Sequence, residues 1–389
     1  MTNQIIIQNA KIYTEDKLIE EGSIVLQDGK ITEITEDNTE LDTSFAELID
    51  GTGYSVIPGF IDTHIHGANG ADTMDATEKA IDTIANILPQ EGTTSFLATT
   101  MTQSKENIEK ALSNVAKYKN KDSNAEVLGI HLEGPFININ KKGAQPGEYV
   151  IPPNIEQFQK WQDIAKGKIK TITVAPECDQ EGTFVTYLAD NGVNVSAGHT
   201  DAKFSGIKEA VELGVHQLTH ICNAMEGIHH RDIGAVGAPF HIKTLYAELI
   251  ADNIHVIPEM MQIIYNNVGS ERLILITDAM RAKWLPPGNY ELGGQPVIVS
   301  EDRATLKEGG SLAGSILKMI NAAKNMRSLE GVGLTDIIQM TAVNPAKQIG
   351  VYDRKGSLAV GKDADVLLID DMLNIKYTIC KGNIAYKGE

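Results

Sequence analysis

From Pro58 to Asp278 the chain repeats one rhythm, a short apolar run, a loop, then an amphipathic stretch, and this rhythm limits its architecture more than any other feature. The apolar runs fall at 57–66, 94–99, 127–133, 171–175, 194–199, 217–222, 245–250 and 273–278, eight in all. Helix-like segments lie between several of them, at 77–88, 105–118, 154–165, 202–213 and 259–267. Strands that are apolar along their whole length are buried on both faces, and intervening helices let them run parallel. Eight such units predict an α/β fold of the (β/α)8 TIM-barrel type rather than an open doubly wound sheet. A nucleotide-binding sheet of that second kind carries a glycine-rich turn after its first strand. Here the turn reads His64-Ile65-His66-Gly67.

The flanks read differently. Segments 4–8, 23–26 and 31–34 are strand-like, and Asp28-Gly29 marks a hairpin between the last two. The tail, 356–387, returns to short strands with turns at Gly361-Lys362-Asp363 and Lys381-Gly382-Asn383. The two ends are expected to pair into one small β-sandwich domain, 1–56 with 351–389, around a barrel spanning 57–350. Within that barrel, 289–307 reads as a hairpin inserted after the eighth strand, and 315–329 and 335–349 as closing helices.

Composition removes several function classes. A net charge of −18 argues against a general nucleic-acid binder, which needs a basic face for phosphates. No apolar run is long enough to span a bilayer. The start, Met1-Thr2-Asn3-Gln4-Ile5, lacks the basic and small-residue pattern of a secretory leader. Cys178, Cys222 and Cys380 form no CxxC pair and no disulfide framework, so a reducing cytoplasm is the expected compartment.

In a barrel enzyme the reacting groups sit at the carboxyl ends of the strands. Those ends hold His64 and His66 (first), Glu133 (third), His199 (fifth), His220 (sixth), His255 (just beyond the seventh) and Asp278 (eighth). His64 and His66 share one side of their strand, because side chains repeat every two residues. Histidine-rich sets with one carboxylate suit a divalent ion such as Zn, Fe, Co or Mn, and the residue types do not choose among these. Each residue also has a plainer reading. The histidines could be satisfied by backbone carbonyls, Glu133 could cap the turn at Gly134-Pro135, and His131 could be a ligand or a supporting residue. His216, His229, His230 and His241 carry no positional signal and read as solvated or structural.

The segments His131-Leu132-Glu133-Gly134-Pro135-Phe136, Ser196-Ala197-Gly198-His199-Thr200-Asp201, Thr219-His220-Ile221-Cys222-Asn223-Ala224-Met225 and Thr277-Asp278-Ala279, with the His64/His66 pair, carry a resemblance. The chain resembles the amidohydrolase superfamily throughout its length and, within it, the N-acetylglucosamine-6-phosphate deacetylase family. The resemblance implies a metal held by Glu133, His199 and His220, with His64 and His66 completing a second site, so one or two ions per subunit. It implies Asp278 as the general acid–base, and hydrolysis of the N-acetyl group of a small phosphorylated amino sugar. It implies substrate contacts from Ala144, Gln145, Asn223, Ala224, Arg231, His255, Leu312, Ala313 and Gly314. Arg231 would reach the site of a neighbouring subunit in a homodimer. Many relatives in other branches place a carboxylated lysine at the end of the fourth strand. This chain has Ala175-Pro176-Glu177 there, so Glu133 is expected to bridge. Gln145 stands where many members of the family carry histidine. The alternatives are another amidohydrolase, of adenine-deaminase or dipeptidase type, and a barrel that has lost its chemistry.

Overall fold

The computed structural model describes residues 4–36, 41, 43–44 and 46–388. Met1–Asn3, part of the stretch read as lacking a leader, lie outside them. Eight parallel strands form the barrel: β1 (Phe60–Ile65), β2 (Thr93–Thr100), β3 (Glu126–Glu133), β4 (Ile169–Val174), β5 (Asn194–Ala197), β6 (Val215–Leu218), β7 (Tyr246–Ile250) and β8 (Leu273–Ile276). Each pairs with its sequence neighbour. The ring closes where Asp278 N donates to His64 O at 2.8 Å and His66 N to Ala279 O at 2.9 Å. Every residue of β1, β2, β3 and β8 is buried, and the polar ones among them find partners inside the barrel: Asp62 Oδ2 accepts from Thr277 Oγ1 at 2.6 Å and Thr99 Oγ1 from Ile65 N at 2.9 Å.

The helices begin where the sequence supplies caps. Thr77, Ser104 and Asn154 each accept a backbone N–H from the first turn of Glu78–Ile87, Lys105–Lys117 and Ile155–Ile164. Two further helices, Thr183–Asp190 and Gly234–His241, have no clear sequence signal. The second contains Pro239 and two glycines, Gly234 and Gly237, which disfavour helix, and it holds because packing buries most of it. Strands five, six and eight stop earlier than predicted. The reason is local: His199 (φ 48°), His220 (φ 33°) and Asp278 (φ 47°) all adopt left-handed backbone, which ends a strand.

Both chain ends build one sheet. Ser55–Pro58 pairs with Val366–Ile369 on one side and with Gln4–Tyr13 on the other, closing the small β-sandwich around Ile5, Ile12, Val56, Val366 and Leu368. The insert after β8 has three antiparallel strands rather than a simple hairpin: Gly288–Leu292, Gln295–Val299 and Ala304–Leu306. Its tight turn needs Gly293 and Gly294, at φ 57° and 82°. The predicted closing helices appear as Met319–Arg327 and a continuous run from Leu334 to Gln348 with a π turn at Gln339–Val343. No described helix is long and apolar enough to cross a membrane.

Candidate metal centre

The strand ends bring six of the predicted residues to one place. Glu133, the last residue of β3, lies between two groups of histidines. Its Oε1 is 3.2 Å from His199 Nε2 and 3.1 Å from His220 Nε2, and its Oε2 is 3.2 Å from His66 Nε2. Asp278 faces the first-strand pair, with Oδ1 3.2 Å from His66 Nε2 and 3.5 Å from His64 Nε2. His199 and His220 aim their Nε2 atoms at one another, 3.1 Å apart.

These spacings fit a cation. Nitrogen and oxygen ligands about 2.0–2.1 Å from one tetrahedral ion stand roughly 3.3 Å from each other. Glu133, His199 and His220 meet that spacing pairwise, and His64, His66 and Glu133 form a second, looser group with ligand atoms within 4.8 Å of one another. His64 Nε2 is buried and makes no hydrogen bond among the described residues. An imidazole nitrogen turned without a partner toward two carboxylates is a ligand geometry.

Electrostatics agree. Burial opposes charge on His64, yet Glu133, Asp278 and Glu248 raise its pKa well above the usual imidazole value. Burial likewise opposes charge on His66, but hydrogen bonding to Asp278 and Glu133 takes it up to about 10. Burial works to raise Glu133 and Asp278, but the charge of His64 beside them holds Glu133 well below the carboxylate range and lowers Asp278 too. The cluster has room for positive charge among buried carboxylates. His131 goes the other way, pressed well below its ordinary value by burial and by the charge of His64. Both its nitrogens are occupied, Nδ1 at 3.2 Å from Thr63 O and Nε2 at 2.7 Å from Thr173 Oγ1, so it supports rather than ligates.

The backbone is strained at these positions. Left-handed φ at His199, His220 and Asp278 is unfavourable for residues with a Cβ, and such conformations cluster at functional sites.

Above the cluster lies a cavity of about 130 Å³. Its walls include Ala144, Gln145, Asn223, Ala224, His255, Leu312 and Gly314, all predicted substrate contacts. Gly314 is required there: at φ 57°, a Cβ would stand 2.9 Å from Asp278 O. Gln145 has a task besides lining the cavity. Its Nε2 donates to Glu133 Oε2 at 2.7 Å and its Oε1 accepts from Thr102 N at 2.8 Å. Two predicted contacts stay outside. Ala313 is fully buried, packed in the apolar cluster with Met101, Met280 and Leu292. Arg231 is exposed and lines a separate surface hollow with Phe204 and His230, so within one chain it does not reach this cavity. His216, His229, His230 and His241 are all exposed.

The sequence profile of the amidohydrolase family matches residues 55–385. This chain belongs to the amidohydrolase family. The amidohydrolase is 44% identical to the N-acetylglucosamine-6-phosphate deacetylase of Bacillus subtilis (strain 168), covering 99% of this chain and 98% of the relative. It is 42% identical to the enzyme of the same name from Lysinibacillus sphaericus, covering 98% and 97%. A crystal structure of N-acetylglucosamine-6-phosphate deacetylase from Pasteurella multocida superposes with a TM-score of 0.91 at 28% identity, covering 99% of this chain and 100% of that one.

Several functional residues of this amidohydrolase escaped the sequence reading. Glu248, fully buried in β7, holds His64 Nδ1 at 3.0 Å. Its signal was available: one carboxylate inside the otherwise apolar Leu245–Ile250 run has to be paired. Asp252 fixes His255, with Oδ2 2.6 Å from Nδ1. Met101 and Leu292 line the cavity and had no signal, since an apolar residue in a loop or hairpin looks like ordinary packing.

Proposed function

We propose that this amidohydrolase removes the N-acetyl group of N-acetylglucosamine 6-phosphate, giving glucosamine 6-phosphate and acetate in amino-sugar breakdown. The observation that carries this reading is the Glu133 carboxylate shared between His199/His220 and His66, with Asp278 facing it at the cavity floor. The similarity to deacetylases over essentially the full chain supports it. In our division, 57–350 is the catalytic barrel and 1–56 with 351–389 the supporting domain.

Glu133, His199 and His220 would hold a divalent cation, and His64 and His66, with Glu133 bridging, a second. Zn, Fe, Co and Mn all suit this donor set. Bound there, such a cation would supply acidity to a water and polarisation to the amide carbonyl. The chain's own residues do the rest. Asp278, with Oδ1 turned to the histidine pair, takes the proton of the attacking water on Oδ2 and passes it to the departing amine nitrogen. Gln145 steadies Glu133 from the other side. Ala224, through its backbone N–H, and His255 offer donors toward the sugar and its phosphate, while Asn223, whose Nδ2 donates to His220 O at 3.3 Å and Ile221 O at 3.2 Å, shapes the loop beside them. Because Arg231 lies outside its own cavity, we read it as the phosphate ligand of a neighbouring subunit in a homodimer. The working compartment in this reading is the cytoplasm.

The test is acetate release from N-acetylglucosamine 6-phosphate by protein stripped of metal and reloaded with one divalent ion at a time. The unphosphorylated sugar is run alongside. Metal-dependent turnover of the phosphorylated sugar alone is the expected result. Metal binding without acetate release from either sugar overturns the substrate assignment.

A further inference from the structure

The cavity has two chemically different sides, and the barrel topology sets them apart. In a ring of eight strands ordered by sequence, β2 stands opposite β6 and β3 opposite β7. Past β6 and β7 come Asn223 and His255, which bear polar groups. Past β2 and β3 come Met101 and Ala144, with Gln145, whose amide is taken up by Glu133 Oε2 and Thr102 N, and Leu292 from the tip of the inserted sheet lines the same cavity. Met101 and Leu292 are each only 2% exposed, and with Met280 and Ala313 they form an apolar cluster separate from the barrel core.

The tip is fastened in place. Gln103 Nε2 donates to Gly293 O at 3.0 Å, and Gln295 Nε2 donates to Ala144 O. Gly293 packs so closely that a Cβ there would lie 3.0 Å from Met101 Cγ and 3.3 Å from Pro146 Cγ. Leu292 is thus held by loops that follow β2 and β3.

A secondary amide is planar and trans, so its acyl substituent and its nitrogen substituent point in opposite directions from the carbonyl. With the carbonyl over the cluster and a phosphorylated sugar directed to the polar side, the acyl chain must face the apolar side. Resting on the deacetylase reading, we infer that Met101 and Leu292 form the wall of an acyl pocket. The sheet inserted after β8 then sets the length of the acyl group removed, and the barrel alone does not.

The experiment compares kcat/KM for the N-acetyl, N-propionyl and N-butyryl derivatives of glucosamine 6-phosphate, using wild type, Leu292→Ala, Leu292→Val and Met101→Ala. A wild-type preference for acetyl of roughly tenfold or more per methylene is expected from a closed apolar pocket. Both alanine variants should raise the butyryl-to-acetyl ratio by about tenfold, and Leu292→Val should do so more weakly. Met101 belongs to the barrel and Leu292 to the insert, so loss of fold in one variant leaves the other to decide. A wild type indifferent to chain length, or variants with an unchanged ratio, overturns the acyl-pocket assignment. A wild type that cleaves none of the three sugars instead sinks the deacetylase reading beneath it.

Discussion

Glu248 Oε2 lies 3.0 Å from His64 Nδ1, and both side chains are fully buried. The carboxylate accepts a hydrogen bond from Nδ1–H and leaves Nε2 turned toward Glu133 and Asp278. It also accepts from Gln217 Nε2 at 2.7 Å and from His220 N at 3.3 Å, which ties both histidine groups to one anchor. Partners that orient a metal-binding imidazole commonly carry 10–100-fold in affinity. Glu248→Gln should weaken divalent-metal binding by about that factor in a competition titration against a chromogenic chelator. Wild-type affinity in this variant would break the link between Glu248 and the metal centre.

Substituting Asp278 should separate chemistry from metal holding. Its carboxylate faces both first-strand histidines, but Glu133, His199 and His220 form a complete group without it. Asp278→Asn keeps the shape and removes the proton acceptor. We expect kcat to fall by about a hundredfold or more, the usual range for a lost general acid–base, with metal content near that of wild type. Full turnover in the variant would require another base.

The barrel was legible because each strand has an apolar stretch bounded by turns, and the candidate ligands were legible because they sit at the ends of those stretches. Glu248 was missed for the converse reason: it lies inside a strand, where length and hydropathy dominate the reading. The early ends of β5, β6 and β8 were also missed, since left-handed backbone at His199, His220 and Asp278 is imposed by the site and not by local propensity. Leu292 shows a further limit. It is separated from the barrel strands by a loop, and only the folded insert brings it over the cavity.

Metal removal tests the cluster without reference to activity. A ligand that binds only the folded state adds about 4 kcal/mol of stability at a thousandfold excess over its Kd. Stripping with a chelator should therefore lower the melting temperature, and returning a divalent ion should restore it. Identical melting curves for stripped and reloaded protein would remove the centre from the folded-state energetics.

Arg231 offers a test of subunit exchange. If it binds the phosphate of a neighbour's substrate, Arg231→Ala should raise KM for the phosphorylated sugar about tenfold or more, since a lost charged hydrogen bond is worth about 1.5–3 kcal/mol. Mixing Arg231→Ala with Asp278→Asn should then yield hybrid dimers with one fully wild-type site. Recovery of activity on mixing is the expected outcome; strict additivity of the two defects is the contrary one.

The junction between barrel and small domain is an ion network, and its acid response follows from sign. Lys355 is 1% exposed and lies 2.9 Å from Glu126 Oε2 and 3.1 Å from Asp363 Oδ2, with Asp365 against the same ammonium. Arg354 adds contacts to Glu126 at 3.0 Å and to Asp363 at 2.7 Å. Burial works against ionisation of both carboxyls, yet Lys355 and Arg354 bring Glu126 down to about 2, and Lys355 and Lys30 bring Asp363 to about 2. Groups whose folded pKa lies below the unfolded value stabilise the fold fully above the unfolded pKa, near 4 for these residues, and lose that contribution as pH falls toward 2. Stability should therefore drop through that window, followed by denaturant midpoint against pH. Lys355→Met leaves three acids facing one another without the buried ammonium, so their pKa values rise and the acid transition moves to higher pH. That shift should come with a loss of about 3 kcal/mol or more near neutrality, because breaking a buried pair strands its partners. An unchanged acid midpoint in Lys355→Met would show that this network does not hold the two ends of the chain against the barrel.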